Sequence, residues 1–348
     1  MNISTADLRK ALQVLGLATS TKSSLPPATR LIELVTEDGF LYGYTFNKVC
    51  YLKYKICPST EDICVNVDFN LLFSLVKGVD GDTIKITHNN NSLTFTSSKF
   101  TTKIQCFISQ NDGKLIPHID EYDSYPYHFD ADMKDYMALS KFINPKIAVN
   151  CYTGMYFGDN IMVSDINNVA IIRDHLFPSN ILLNPTGLSL ITDLKEFDYN
   201  INPKERALFI KTIEVIGKVY TMPLDEFQYD DYVELFDINI ADSIELESAD
   251  FVKAIATANK LKFKELNLTF CSKGVALSGD RSNFQYLLSK TPCTMDITYK
   301  MSISTLQKMV LGDKMTVFYG NTDFIKIVND IKEVLLGEVT VKTEEPSV

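Results

Sequence analysis

The chain has little of what usually builds a chemical site. Of its 348 residues, 15 are glycine and four are histidine. No GxxxxGKS, GxxxxGKT, GxGxxG, GxSxG or HExxH occurs, so no phosphate loop, nucleophile elbow or helical zinc site can be read from it. His88, His118, His128 and His175 sit in unlike contexts, none beside a nucleophile pair. The seven cysteines include no CxxC pair. Cys50, Cys57 and Cys64 recur every seven residues, but in a segment of strand and turn character. Reduced, buried thiols are therefore expected, rather than metal ligands or disulfides. No apolar run approaches the ~18–20 residues of a membrane span, and no apolar stretch follows a basic start at Met1–Lys10. These absences predict a soluble, cytoplasmic, non-enzymatic protein with no cofactor and no membrane partner. The acidic clusters Asp120–Asp123 and Asp225–Asp231 read as solvated linkers.

What is present is ordinary globular material: 45% hydrophobic and 22% charged residues, with a formal charge of −10. The length predicts two or three domains. An acidic balance argues against nucleic acid unless the basic residues gather on one face.

The strongest pattern is a threefold repeat of one order of elements: short strand, helix, strands, second helix, strands. The first copy opens at Asn2–Ser4. Its helix, Ala6 to Ala18, places Leu8, Ala11, Leu12 and Leu15 at helical spacing. Strand-like runs follow from Arg30, Phe40 and Val49. A second helix, Phe69 to Lys77, stops at Gly78, and three more strands run from Asp82 to Phe107. The second copy opens at Tyr127–Phe129, with a helix Ala131 to Ile143 before Pro145 and strands at KIAVNCY, MYFGD, IMVSD and VAIIRD. Its second helix starts near Pro185 behind an Asn184 cap. The third copy opens at Ile244–Leu246, with helices Ala249 to Leu261 and Ser302 to Leu311. The openings near residues 3, 127 and 244 give a period of about 120, which means similar domains rather than a solenoid.

Each helix offers a short, mildly basic polar stripe: Arg9, Lys10 and Gln13; Lys134 and Lys141; Lys253, Thr257 and Lys260; Asn70, Ser74 and Lys77; Ser189, Thr192 and Lys195; Ser304 and Lys308. One such stripe is an ordinary solvated face. Six of them lining one hole would contact phosphates weakly and without regard to base sequence.

These features together resemble the bacterial DNA polymerase III beta subunit family, the DNA sliding clamps. The resemblance spans nearly the whole chain. DLRKALQVLGLATSTKSSLPPATRLIEL looks like the family's opening helix, basic loop and next strand. NLLFSLVKGVDGDTIKIT resembles its second helix and the strand beyond. IMVSDINNVAII resembles the segment with its Thr-Asp-Gly-His-Arg-Leu-Ala motif, and YDDYVEL its Phe-Pro-Asp-Tyr stretch. The low identity suggests a phage-encoded member.

The resemblance implies an α+β fold of three clamp domains, 1–124, 125–242 and 243–348, each with two helices and two small antiparallel sheets. It implies a homodimeric ring around duplex DNA, a DNA polymerase partner and a clamp-loader ATPase. DNA contacts would come from Arg9, Lys10, Lys22, Lys77, Lys134, Lys141, Lys253, Lys260 and Lys308, with Asn70 and Thr186 standing where the family often has basic residues. A partner-peptide pocket between the second and third domains would be formed by Tyr152, Ser164, Ile166, Val169, Leu235, Val334 and Leu336. Ile166, Asn167 and Asn168 replace the family's Gly-His-Arg, Asp230 its Pro and Glu234 an Arg. The head-to-tail interface would involve the edge strand Lys103–Phe107, with Ile104, and the region of Leu261. Two other readings stay open: a clamp-fold adaptor that does not encircle DNA, and a metal-dependent enzyme using Asp230 and Asp231.

Overall fold

The computed structural model describes residues 1–20, 22, 24–89, 91–107, 115–144, 146, 150–225, 229–240, 242–279, 284–320, 322–337 and 340–342, the last three by backbone alone. β1 (Asn2–Ser4) leads into α1 (Thr5–Gly16). β2 (Leu31–Glu37), β3 (Phe40–Phe46), β4 (Cys50–Pro58) and β5 (Cys64–Asp68) precede α2 (Phe69–Lys77). β6 (Thr83–Asn89), β7 (Ser92–Thr96), β8 (Thr101–Gln105) and β9 (Tyr127–Asp130) lead to α3 (Lys134–Met137). Next come β10 (Met155–Phe157), β11 (Ile161–Ser164), β12 (Asn168–Ile172), β13 (Ile181–Leu183) and α4 (Pro185–Leu194). β14 (Glu196–Asn202), β15 (Ala207–Lys211) and β16 (Val215–Tyr220) are followed by α5 (Tyr229–Phe236), β17 (Asp242–Glu247) and α6 (Ser248–Lys260). β18 (Glu265–Cys271), β19 (Gly274–Ser278), β20 (Gln285–Ser289) and β21 (Ile297–Ser302) precede α7 (Ile303–Met309). β22 (Lys314–Tyr319), β23 (Ile325–Asn329), β24 (Lys332–Leu336) and β25 (Thr340–Lys342) close the chain. The fold is α+β.

The helices start where their caps dictate. Asp68 accepts from the Leu71 amide at 2.9 Å, Asn184 from Gly187 at 2.9 Å and Ser302 from Thr305 at 3.0 Å. Each bond satisfies an amide that the first helical turn leaves without a partner. Leu8, Leu12 and Leu15 of α1, and Phe69, Leu72 and Val76 of α2, are buried.

The chain divides into two compact units, residues 1–133 with 183–222 and residues 134–182 with 223–348. In the first, one sheet has the order β1-β6-β7-β8 and a larger one β5-β2-β3-β4-β16-β15-β14-β9. In the second, the smaller sheet runs β20-β19-β18-β21-β25 and the larger β13-β10-β11-β12-β24-β23-β22-β17. Each larger sheet is continuous across repeats. β16 pairs with β4 from Val215↔Tyr54 to Val219↔Cys50, and β12 with β24 from Asn168↔Leu336 to Ile172↔Lys332.

Several expectations need correction. The helix foreseen from Ala131 to Ile143 is a single α turn followed by a 3₁₀ segment, Ala138–Phe142. Three residues per turn stack the buried Leu139 and Phe142 on one side. The strand KIAVNCY is replaced at its end by a 3₁₀ turn, Asn150–Thr153, while residues 147–149, like Pro145, lie outside the described residues. The acidic stretch read as linker is helical from Tyr229 onward. Among the described residues no cysteine is in a disulfide, but Cys64 is exposed and Cys57 and Cys271 are only partly buried. Among the described residues no helix is long and apolar enough to cross a membrane, and no group of His, Cys, Asp and Glu side chains could hold a metal ion.

Candidate functional site

The basic candidates fall into different surroundings. In the first unit, the Arg9 guanidinium donates to the carbonyls of Val76 (3.1 Å), Lys77 (3.2 Å) and Val79 (2.6 Å). It closes the C-terminal end of α2, where free carbonyls and the helix dipole favour a cation. Lys10 reaches Glu214 at 2.7 Å, with both side chains largely in solvent, so that pair contributes little stability. An open groove of about 900 Å³ brings Lys10, Gln13, Lys22 and Asn70 together with Asp193. Lys77 is exposed near it in sequence, in the last turn of α2.

In the second unit, Lys141 and Lys308 both approach the Phe142 ring, at 5.7 and 5.6 Å. Lys308 is tied to Asp165, and Lys332 to Asp135 at 2.6 Å. Lys141 instead donates to the Val310 carbonyl at 2.6 Å. Desolvation, then the charges of Lys332 and Lys308, push its ammonium down to about 8, so its charge fades just above neutral pH. Lys134, Lys253 and Lys260 are exposed, with Lys253 3.4 Å from Asp250.

The pocket candidates all belong to the second unit, on or around β11, β12, β24 and α5. Ser164 opposes Val169, and Val169 opposes Leu335. Opposed residues of an antiparallel pair share a face, so these three lie together. Val334 opposes Ala170, and Leu336 opposes Asn168, on the other face, and both are fully buried. The register thus separates Val334 and Leu336 from Val169 and sets Leu335 opposite Val169. A slip of one residue in a strand reverses its faces.

α5 lies on the Val169–Leu335 side. Lys326, opposite Leu335, donates to the Phe236 carbonyl at 2.6 Å. Arg173 reaches Asp237 at 3.4 Å. Glu333 joins this group, 2.6 Å from Arg173 and 2.9 Å from Lys326. Tyr229 packs on Tyr156 at 4.7 Å and accepts from Asn160 at 2.7 Å. Burial and the Tyr229 hydroxyl push Tyr156 up to about 12. The Tyr232 hydroxyl donates to that of Tyr152 at 3.0 Å, and burial plus this bond hold the Tyr152 phenol well above its ordinary range. Leu235, 40% exposed, and Ile238, 41% exposed, remain at the surface of this segment.

The relatives sharing this layout are solved structures, for no model of a protein family and no curated protein matches the sequence. A Helicobacter pylori beta clamp bound to a DNA ligase peptide is 15% identical, with a TM-score of 0.76, over 97% of this chain and 98% of that one. The DNA polymerase III beta subunit of Thermotoga maritima is 11% identical, with a TM-score of 0.80, over 96% and 97%. That of Pseudomonas aeruginosa is 14% identical, with a TM-score of 0.77, over 97% and 98%. The chain has the fold of the bacterial beta sliding clamp.

Within the clamp fold, the β11–β12 turn carries a departure with a visible backbone consequence. Ile166, where the resemblance implies a glycine in the family, has φ +80° and is half exposed. A β-branched residue is strained there. The turn holds it by other means: Ile166 N donates to Ser164 Oγ at 3.1 Å, Asn168 N to Asp165 Oδ1 at 2.8 Å, and Gly337 N to the Asn167 carbonyl at 3.0 Å. Relief of ~1–3 kcal/mol of strain should outweigh the ~0.5–1 kcal/mol of extra chain entropy of glycine. Ile166→Gly is therefore expected to stabilise by about 1 kcal/mol and to raise the thermal midpoint. An unchanged midpoint would mean that the turn bears no strain.

Leu335, Glu333, Arg173 and Lys326 escaped sequence reasoning. Strand alternation in KEVLL could have offered Leu335, but only the pairing register tells which parity faces α5.

Proposed function

We propose that this chain is a DNA sliding clamp. Two copies would close head to tail into a ring of six similar domains, three from each chain at 1–124, 125–242 and 243–348. Duplex DNA would pass through the ring, a replicative DNA polymerase would be tethered to it, and a clamp-loader ATPase would open it. The clamp has no catalytic role in this reading. The observation carrying the reading is the match of the clamp fold over 96–97% of the chain in several independent structures.

Lys10, Lys22, Lys77, Lys134, Lys141, Lys253 and Lys260 are the proposed phosphate contacts. Arg9 and Lys308 are occupied by α2 and by Asp165, and act mainly by shaping their surroundings. Few, separate lysines suit a protein that slides. The Helicobacter clamp's DNA ligase peptide supports a peptide site here too. We place that site at Tyr152, Ser164, Ile166, Val169, Leu235 and Leu335, leaving Val334 and Leu336 to the core.

For the interface, β8 and β20 are edge strands of the two smaller sheets. Ile104 of β8 is buried in its own unit and anchors the strand rather than meeting a partner. Beside these edges, Phe107, Leu287 and Leu261 are about half exposed. An edge strand bearing exposed apolar side chains is a template for pairing, and two equal contacts close a two-fold ring.

Light scattering over a range of concentrations tests the reading. A particle of twice the 39.3 kDa chain mass is expected, retained on a circular plasmid after loading and released when the plasmid is cut. A persistent 39.3 kDa particle would instead favour a clamp-fold adaptor that does not encircle DNA.

A further inference from the structure

The negative charge of this protein is concentrated in one place. From Val219 to Val252 the sequence has ten aspartates and glutamates and no lysine, arginine or histidine. In the rest of the chain 34 carboxylates match the 34 lysines and arginines, so the net charge of −10 equals that of this segment.

The fold neutralises part of it. Lys314 reaches Glu245 at 2.9 Å and Glu247 at 3.5 Å, Lys253 reaches Asp250, and Arg173 reaches Asp237. Asp230, Asp231 and Glu234 of α5 meet no cation among the described residues, and Asp231 and Glu234 are exposed. The basic groups nearest on that face, Arg173 and Lys326, are both taken by Glu333. Glu234 sits in the last turn of α5, where the helix dipole disfavours an anion. Interleaved with these carboxylates are the exposed Leu235 and Ile238.

We propose that the exposed surface of α5 with Leu235 and Ile238, beside the buried Val169–Leu335 face, takes a basic linear peptide from a partner protein, with large apolar anchors flanked by lysine or arginine. The idea rests on the reading of a peptide site given above and adds its charge preference. Exposed leucine and isoleucine offer anchoring area, and three unneutralised carboxylates favour cations beside it. The same charge repels DNA, and it repels a second copy of this acidic chain.

The test is fluorescence anisotropy on the full chain with two labelled peptides of equal length and identical leucine and phenylalanine anchors, one flanked by lysine and the other by glutamate. The lysine peptide should bind at least tenfold tighter at low salt, and the gap should shrink in 0.5 M salt. The double variant Asp231→Lys, Glu234→Lys, checked for an unchanged melt, should reverse the order. Equal affinities, or a preference for glutamate, would overturn the charge preference while leaving the peptide site standing. A lysine preference that survives the double variant would overturn it too, placing the attraction elsewhere on the acidic surface. If neither peptide binds, the peptide site itself fails and the preference with it.

Discussion

In the proposed ring, the Leu287→Asp variant is expected to behave as a single chain of 39.3 kDa at concentrations where the native protein would have twice that mass. Leu287 lies on edge strand β20 and is 47% exposed, so its side chain is free to be covered by a partner. Burying a leucine contributes about 2 kcal/mol, and an aspartate in its place adds a desolvation cost of similar size or more. A two-fold ring contains the contact twice, so the combined loss is at least ~8 kcal/mol, or about six orders of magnitude in dissociation constant. Sedimentation equilibrium would register this as full dissociation at micromolar protein. Ile213→Asp is the control. Ile213 is 96% exposed in the turn between β15 and β16 of the first unit, on neither edge strand, and should leave the mass unchanged. A native-like mass for Leu287→Asp would remove β20 from the interface. Loss of mass in both variants would point to general misfolding or to a different contact.

Much of the fold was legible because local signals agree with it. Phe69 to Lys77 is a helix to the residue, with its capping Asp68 before it and Gly78 after it. The order of elements was readable where the first and third copies restate one amphipathic opening helix, which the second copy replaces by a single α turn and a 3₁₀ segment. The extent of the compact units was not, because strand pairing is non-local. Nothing within β4 states that its neighbour is β16, although that pairing joins strands from successive repeats. α5 was hidden by composition. Tyr229, Tyr232, Val233 and Phe236 have helical spacing, but the surrounding carboxylates read as solvated linker, and only Phe236 is buried. At the proposed peptide site, β24 was legible in the sequence but its parity was not, and parity decides whether Leu335 or Val334 faces α5. Arg9 shows the converse. Its helix face suggested phosphate contacts, while the fold uses its guanidinium to satisfy three carbonyls at the end of α2.

Removing Glu333 should be the most damaging single change in the second unit outside its apolar core. Its side chain is 13% exposed and lies between Arg173 and Lys326, the latter 15% exposed. Burial alone would raise its carboxyl, but hydrogen bonds from Arg173 and Lys326, with their charges, hold it below the ordinary value of 4.5. In Glu333→Ala, Lys326 keeps the Phe236 carbonyl but loses its counter-charge, and an uncompensated buried cation costs ~3 kcal/mol or more. For a cooperative unit of this size that is a fall of about 6–12 °C in thermal midpoint. The pH dependence separates charge from packing. A carboxyl depressed in the folded state contributes stability that is fully present above 4.5 and is lost as pH falls through the folded value. The gap between native and variant urea midpoints should therefore be widest near pH 7 and narrow steadily below pH ~4.5. A gap that stays constant down to pH ~3 would assign the loss to the missing side-chain volume instead. The same network ties α5 to the sheet through Phe236 and Asp237. If the Val169–Leu335 face beside α5 is the peptide site, Glu333→Ala should weaken peptide binding at temperatures well below its melt. The α5 double variant would change the charge preference without lowering the midpoint, so the network that holds α5 and the charges that α5 displays can be tested independently.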